Sequence, residues 1–227
     1  MVDPPNRPDQ GFAAVDRYIE SKLIGADVAL AATLAANAAA GLPDIDVAPV
    51  QGRLLHLLAR MAGARRILEV GTLGGYSTIC LARALPDGGS LVTLELDPHH
   101  AAVARANIAQ AGLADRVEVR VGPAIDTLAA MQSAGEGPFD LVFIDADKQG
   151  NVAYLNAAIA LGRPGTTIIV DNVVRAGAIL DPDHPDDRVR GTRALFDAVG
   201  AHPRLTATAI QTVGVKHWDG FLLALID

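Results

Sequence analysis

RILEVGTLGGYS, residues 66–77, is the stretch that decides the fold. Its first five residues read as a short apolar strand. Gly71, Gly74 and Gly75 then let the backbone turn tightly and come close to a ligand. A helical stretch near residues 75–85 follows. Strand, glycine turn and helix in that order make the opening unit of a parallel α/β sheet. The turn is not a phosphate site of either familiar kind. Position 73 is Leu where the dinucleotide fingerprint G-x-G-x-x-G needs Gly, and no Gly-Lys-Ser/Thr follows for a phosphate loop. It suits a ligand without phosphates, although a plain strand-to-helix turn would read the same way.

The same alternation continues downstream. SLVTLE (90–95), RVEVRV (116–121), FDLVFID (139–145) and GTTIIV (165–170) read as strands, with helical stretches near 98–112, 123–132 and 150–162 between them. That pattern predicts right-handed crossovers and helices on both faces of the sheet. A helix around 187–200 precedes two more strands, near 205–213 and 218–226. With no helix between them, they should pair antiparallel at an edge. Residues 11–62 form two or three helices, including an Ala-rich run from Val28 to Leu42. That run contains Asn37 and is shorter than the ~20 residues a bilayer span takes, so it reads as a packing helix. The expected fold class is α/β: a doubly wound, seven-stranded, mostly parallel sheet with an antiparallel last strand and extra N-terminal helices. One domain is expected over 1–227, with a helical segment at 1–48 and a core at 49–227.

Composition bounds the function. The chain has 227 residues, 50% hydrophobic and 20% charged. That size suits one domain burying roughly 70–75% of its unfolded surface. A formal net charge of −7 argues against a nucleic-acid groove and against an anionic membrane surface. Cys80 is the one cysteine, so no intrachain disulfide can form. The start, MVDPPNRPDQ, is polar and Pro-rich and carries no apolar signal core. Together these lead us to expect a reducing, cytoplasmic setting.

In an open parallel sheet, ligands bind beyond the carboxyl ends of the strands. The second strand ends at Glu95, placed to accept both hydroxyls of a ribose. The third runs into Gly122-Pro123-Ala124, a small-residue turn with room for a flat adenine. The fourth ends in Asp145-Ala146-Asp147-Lys148. The fifth, in TTIIVDNVV (166–174), ends in Asp171-Asn172. An Asp-Asn pair alone is more often a turn. An acid at both neighbouring strand ends is more telling. Two converging carboxylates repel unless protonated or bound to a cation. Hard oxygen donors favour Mg²⁺, Mn²⁺ or Ca²⁺ over zinc.

ILEVGTLGGYS, LVTLELDP, VGPA, FDLVFIDADK and IIVDNVV, in that order, resemble the class I, metal-dependent O-methyltransferases, whose familiar members act on caffeoyl-CoA and catechol. The resemblance covers about residues 45–225. The GPA turn and DADK strand end look closer to the caffeoyl-CoA branch, and the closing VGVKHWDGFLLALI is similar to the last hairpin of bacterial members. The resemblance implies an S-adenosylmethionine site at Val47, Glu69, Gly71, Thr72, Ser77, Glu95 and Ala124, with Asp145 near the methionine amine. It implies a divalent cation, Mg²⁺ first, on Asp145, Asp171 and Asn172. It makes Lys148 the catalytic lysine, which takes or stabilises the proton of a diol hydroxyl chelated with the metal. The implied partner is a small hydroxylated aromatic, and the implied assembly a homodimer. Two departures leave the plant substrate unsupported but the chemistry intact. Ala176 stands where plant members have a substrate-contacting Asn, and Asn151 where many relatives have Tyr.

Other features read as structural. The Asp181–Asp187 stretch, with two prolines and no central Gly, reads as a solvated loop near the site mouth. His99 and His100 start a helix without metal-ligand spacing and are expected to be exposed, and His56, His202 and His217 stand alone. Cys80 should be buried, and Trp218 should anchor the core or an interface. Arg175 and Arg190 flank the expected mouth, where they meet an acidic substrate or pair with surface acids. Two other functions stay open at this level. An NAD-type oxidoreductase is disfavoured by Leu73. A non-catalytic S-adenosylmethionine binder would not need the acid-acid-amide set.

Overall fold

The computed structural model describes residues 8–227, so the first seven residues of the Pro-rich start lie outside the described residues. Strands β1 (Arg66–Val70), β2 (Ser90–Glu95), β3 (Val117–Val121), β4 (Leu141–Ile144), β5 (Thr167–Asp171), β6 (Leu205–Gly214) and β7 (His217–Ile226) form one sheet. Their order is β3-β2-β1-β4-β5-β7-β6. β1 to β5 run parallel. β7 is antiparallel to both β5 and β6, so it slots between them and leaves β6 at the edge. The helices are α1 (Pro8–Ile19), α2 (Val28–Ala39), α3 (Pro49–Met61), α4 (Tyr76–Ala82), α5 (Pro98–Gln110), α6 (Ala124–Ser133), α7 (Asn151–Ala160) and α8 (Asp187–Ala201).

Strand alternation divides the core. Ile67, Leu91, Leu141, Phe143 and Ile169 pack with Leu55, Ile79, Leu81 and Ile108 of α3, α4 and α5. Their neighbours Leu68, Val92, Val142, Ile144, Ile168 and Val170 pack on the opposite face with Leu128, Leu155 and Leu195 of α6, α7 and α8. A side-chain period of two along each strand feeds both layers at once. Among the described residues, no helix is long and apolar enough to cross a membrane.

Two close approaches shape the ligand end of the sheet. Gly71 sits at φ +99°, and a Cβ there would lie 2.1 Å from the Asp145 carbonyl oxygen. The ends of β1 and β4 can be that near only because residue 71 has no side chain. Asn37, on the Ala-rich α2, has a polar function in packing. Its amide donates to Asp46 at 3.0 Å. Asn107 of α5 donates to Asn37 Oδ1 at 3.0 Å and to the Gly74 carbonyl at 2.9 Å. This buried chain of amides pins α2 and α5 to the glycine turn. Buried polar groups of this kind are favourable only when their partners are in place.

Candidate active site

A cavity of about 840 Å³ opens at the carboxyl ends of β1, β2, β4 and β5. Its wall includes Val47, Gly71, Thr72, Ser77, Glu95, Ala124, Asp145, Lys148 and Asn172. The topology brings them together because β1, β2, β4 and β5 all end on the same side of the sheet. Glu69 and Asp171 are not on the wall. Both are enclosed directly behind it, at 0% and 4% exposure.

On the β1–β2 side, Glu95 is fixed by backbone donors. Its Oε2 accepts from the amides of Thr72 and Leu73 at 3.1 and 2.8 Å, and its Oε1 from Asp97 at 3.0 Å. The turn that brings these amides round needs Leu73 at φ +50° and Gly75 at +88°. His100 Nδ1 lies 3.5 Å from Glu95 Oε1, and the ring forms part of the cavity wall. The expectation of an exposed His100 is therefore corrected. One turn into α5, its side chain points back over the end of β2. His99 is exposed as expected.

Glu69 acts from below. Its two carboxylate oxygens accept from Ser77 at 2.6 Å and Thr78 at 2.5 Å. It thereby orients Ser77, which does reach the cavity. Burial pushes the Glu69 carboxyl up to about 7, against the hydroxyl donors that favour its charged form. An acid raised in the folded state stabilises the fold fully below its unfolded value. That contribution is lost as pH rises from about 4.5 through about 7. The loss is on the order of 3 kcal/mol. Urea unfolding of the wild type and Glu69→Gln should show the variant gaining by that order between pH 5 and pH 8. A stability difference independent of pH would mean that Glu69 does not titrate in this window.

On the β4–β5 side, Lys148 Nζ donates to Asp145 Oδ1 at 2.8 Å. Lys148 is only 6% exposed, so it is not a solvated surface lysine. The chain at Lys148 is pinned by α8, where a Cβ on Gly191 would lie 2.2 Å from the Lys148 carbonyl oxygen. Asp171 is raised by burial first and by the Asp145 charge second, with Lys148 and Gln51 opposing. Asn172 follows at φ +55°, with its amide on Asp171 Oδ1 at 2.8 Å. Two carboxylates and an amide are the donors a hard cation takes. This donor set fits a divalent cation. No group of three His, Cys, Asp or Glu side chains converges among the described residues, and the set here has two carboxylates and one amide.

Several contributors were not legible in the sequence. Asp46 lines the cavity as the far end of the Asn37 chain. Tyr154 closes it from α7, donating to Asp147 at 2.5 Å. Arg188 is on the wall, whereas Arg190 turns away to Asp187 and the Pro185 carbonyl. Trp218 is 42% exposed rather than in the core, with its Nε1 on Gln211 at 2.9 Å. Cys80 is buried, and burial pushes its thiol up to about 12. The 181–187 loop is largely exposed and ends in Asp186, which caps α8.

Comparison with known proteins identifies the family. The sequence model described as O-methyltransferase matches residues 26–225. A catechol O-methyltransferase of Mycobacterium tuberculosis is 57% identical over 226 residues, covering 100% of this chain and 99% of the relative. The Bacillus cereus O-methyltransferase in complex with SAH superposes at a TM-score of 0.95, with 52% identity over 96% of this chain and 99% of that one. The O-methyltransferase TomG from Streptomyces achromogenes, in complex with SAM, superposes at 0.93, with 47% identity over 100% of this chain and 99% of that one. A family match over most of the chain, and relatives of this similarity along its whole length, mean that the protein belongs to the O-methyltransferase family.

Proposed function

We infer that the chain moves the methyl group of S-adenosylmethionine to one hydroxyl of a catechol-like aromatic diol, with a divalent cation, Mg²⁺ first, held by Asp145, Asp171 and Asn172. The observation that supports this reading is one shared cavity. Glu95 and the 71–73 turn form one side, and Asp145, Lys148 and Asn172 the other.

Each residue then has a distinct task. Glu95, already oriented by three amides, accepts the ribose hydroxyls. Ala124 leaves space for the adenine. Val47 and Ser77 bound the methionine end, with Ser77 held by Glu69. A bound divalent cation supplies positive charge that lowers the pKa of a diol hydroxyl. With a divalent cation bound nearby, Lys148 would enter as the neutral amine, its lone pair would take the proton that leaves the acceptor oxygen, and Asp145 would hold the ammonium so formed in place. The acceptor oxygen forms a bond to the sulfonium methyl as the carbon–sulfur bond breaks, leaving a neutral thioether. Holding those atoms at ~3 Å supplies much of the acceleration.

Methyl transfer from labelled S-adenosylmethionine to catechol, caffeic acid, caffeoyl-CoA and an ortho-dihydroxyflavonoid, each with Mg²⁺ and with EDTA, tests this. Transfer that EDTA abolishes is expected. Transfer indifferent to EDTA would remove the metal role of Asp145, Asp171 and Asn172.

A further inference from the structure

Four side chains that can carry positive charge line the cavity: His100, Lys148, Arg175 and Arg188. Three of them face acids. His100 lies against Glu95, Lys148 bonds Asp145, and Arg188 grips both oxygens of Asp186 with contacts of 2.6 to 3.0 Å. Arg175 differs. Among the described residues its guanidinium has no ion pair, and its buried Nε has no hydrogen-bond partner. A buried donor without a partner costs free energy, so a native site that keeps one invites a ligand.

The backbone that presents Arg175 is held in a strained form. Arg175, Ala176 and Gly177 have φ of +55°, +52° and +82°. For the two non-glycine residues this is sparsely populated space, found mostly where surrounding structure enforces it. The enforcement comes from β7. The Asp219 carboxylate accepts from the amides of Val174 and Arg175, each at 3.0 Å. The Trp218 ring packs on Gly177, where a Cβ would lie 2.8 Å from its edge. The turn begins three residues after Asn172, so the unpaired cation is built onto the Asn172 end of the cavity.

We propose that Arg175 binds a carboxylate on the methyl acceptor, so that the preferred substrate is an aromatic diol carrying one acidic group. This rests on the diol methyltransferase reading above. Asp186 is the acid nearest this pair and is already gripped by Arg188, so the Arg175 guanidinium is left to meet an anionic group. A planar carboxylate matches the guanidinium fork through two parallel hydrogen bonds.

The test uses the full chain with S-adenosylmethionine and Mg²⁺. kcat/KM is measured for 3,4-dihydroxybenzoate and for its neutral counterpart 3,4-dihydroxybenzyl alcohol, in wild type, Arg175→Gln and Arg175→Lys. The wild type is expected to prefer the acid. Arg175→Gln should cut the acid-to-alcohol ratio about tenfold to a hundredfold, chiefly through KM, with partial recovery in Arg175→Lys. Thermal midpoints of the variants report folding separately, because a damaged turn lowers both rates together and leaves the ratio alone. A wild type that methylates both acceptors equally, or a ratio unchanged in Arg175→Gln, overturns the carboxylate role while the diol chemistry stands. Transfer to neither acceptor overturns both.

Discussion

Asp171→Ala is expected to lower methyl transfer about a thousandfold while S-adenosylhomocysteine still binds within about threefold of wild type. A Lewis-acidic cation contributes several kcal/mol to such a reaction, and each 1.4 kcal/mol is a factor of ten. Asp171 is enclosed behind the wall, and the groups that act on its carboxylate are Asp145, Lys148, Asn172 and Gln51. Its loss therefore falls on the acceptor end. Initial rates at saturating Mg²⁺, paired with calorimetric titration of S-adenosylhomocysteine, check both halves. Equal loss of binding and turnover in a folded variant would contradict the division of the cavity into two ends.

Gly71→Ala is expected to destabilise the protein by about 3–5 kcal/mol. Part is backbone strain at a φ that L residues rarely adopt, on the order of 1–3 kcal/mol. The rest is overlap with the Asp145 carbonyl, which forces β1 and β4 apart. Native domains hold only about 5–15 kcal/mol in total, so much of the variant would unfold at modest urea concentrations. Separating these strand ends also moves Asp145 relative to Lys148. The folded fraction should then lose activity beyond its loss of population. A urea midpoint within experimental error of wild type would mean that the two strand ends are not in this contact.

The sheet was readable because apolar period and glycine turns report directly on parallel α/β units. Every strand begins and ends within about two residues of its place in the sequence pattern. The insertion of β7 between β5 and β6 was not, since an antiparallel pair at an edge can attach by either strand. The placement of the candidate site residues was readable where they lie at strand ends, as Glu95, Asp145 and Asp171 do. What stayed hidden depends on long-range partners. Asn37 in an alanine helix gives no sign that Asn107 and Gly74 lie across from it. Gln51 looks like any helix glutamine until α3 brings it to Asp171. The left-handed run at 175–177 is invisible because Arg and Ala seldom adopt it, and only Trp218 and Asp219, more than forty residues later, enforce it. Arg188 and Arg190 differ by two positions, and helix phase alone decides which of them sees the cavity.

The late arrival of β7 has a consequence for synthesis. Asp171 pairs with Phe221, and the whole of β5 borders a strand made of residues 217–226. While the chain emerges from the ribosome, β1 to β5 can assemble, but β5 then presents an open, highly apolar ladder of unpaired backbone groups. Such edges recruit other chains. A chain cut short before Trp218 would lack the clamp on Arg175 as well as the cover on β5. Truncation before β7 should thus yield aggregates rather than a weakened enzyme, and residues 217–226 must be made before the clamp on Arg175 can form.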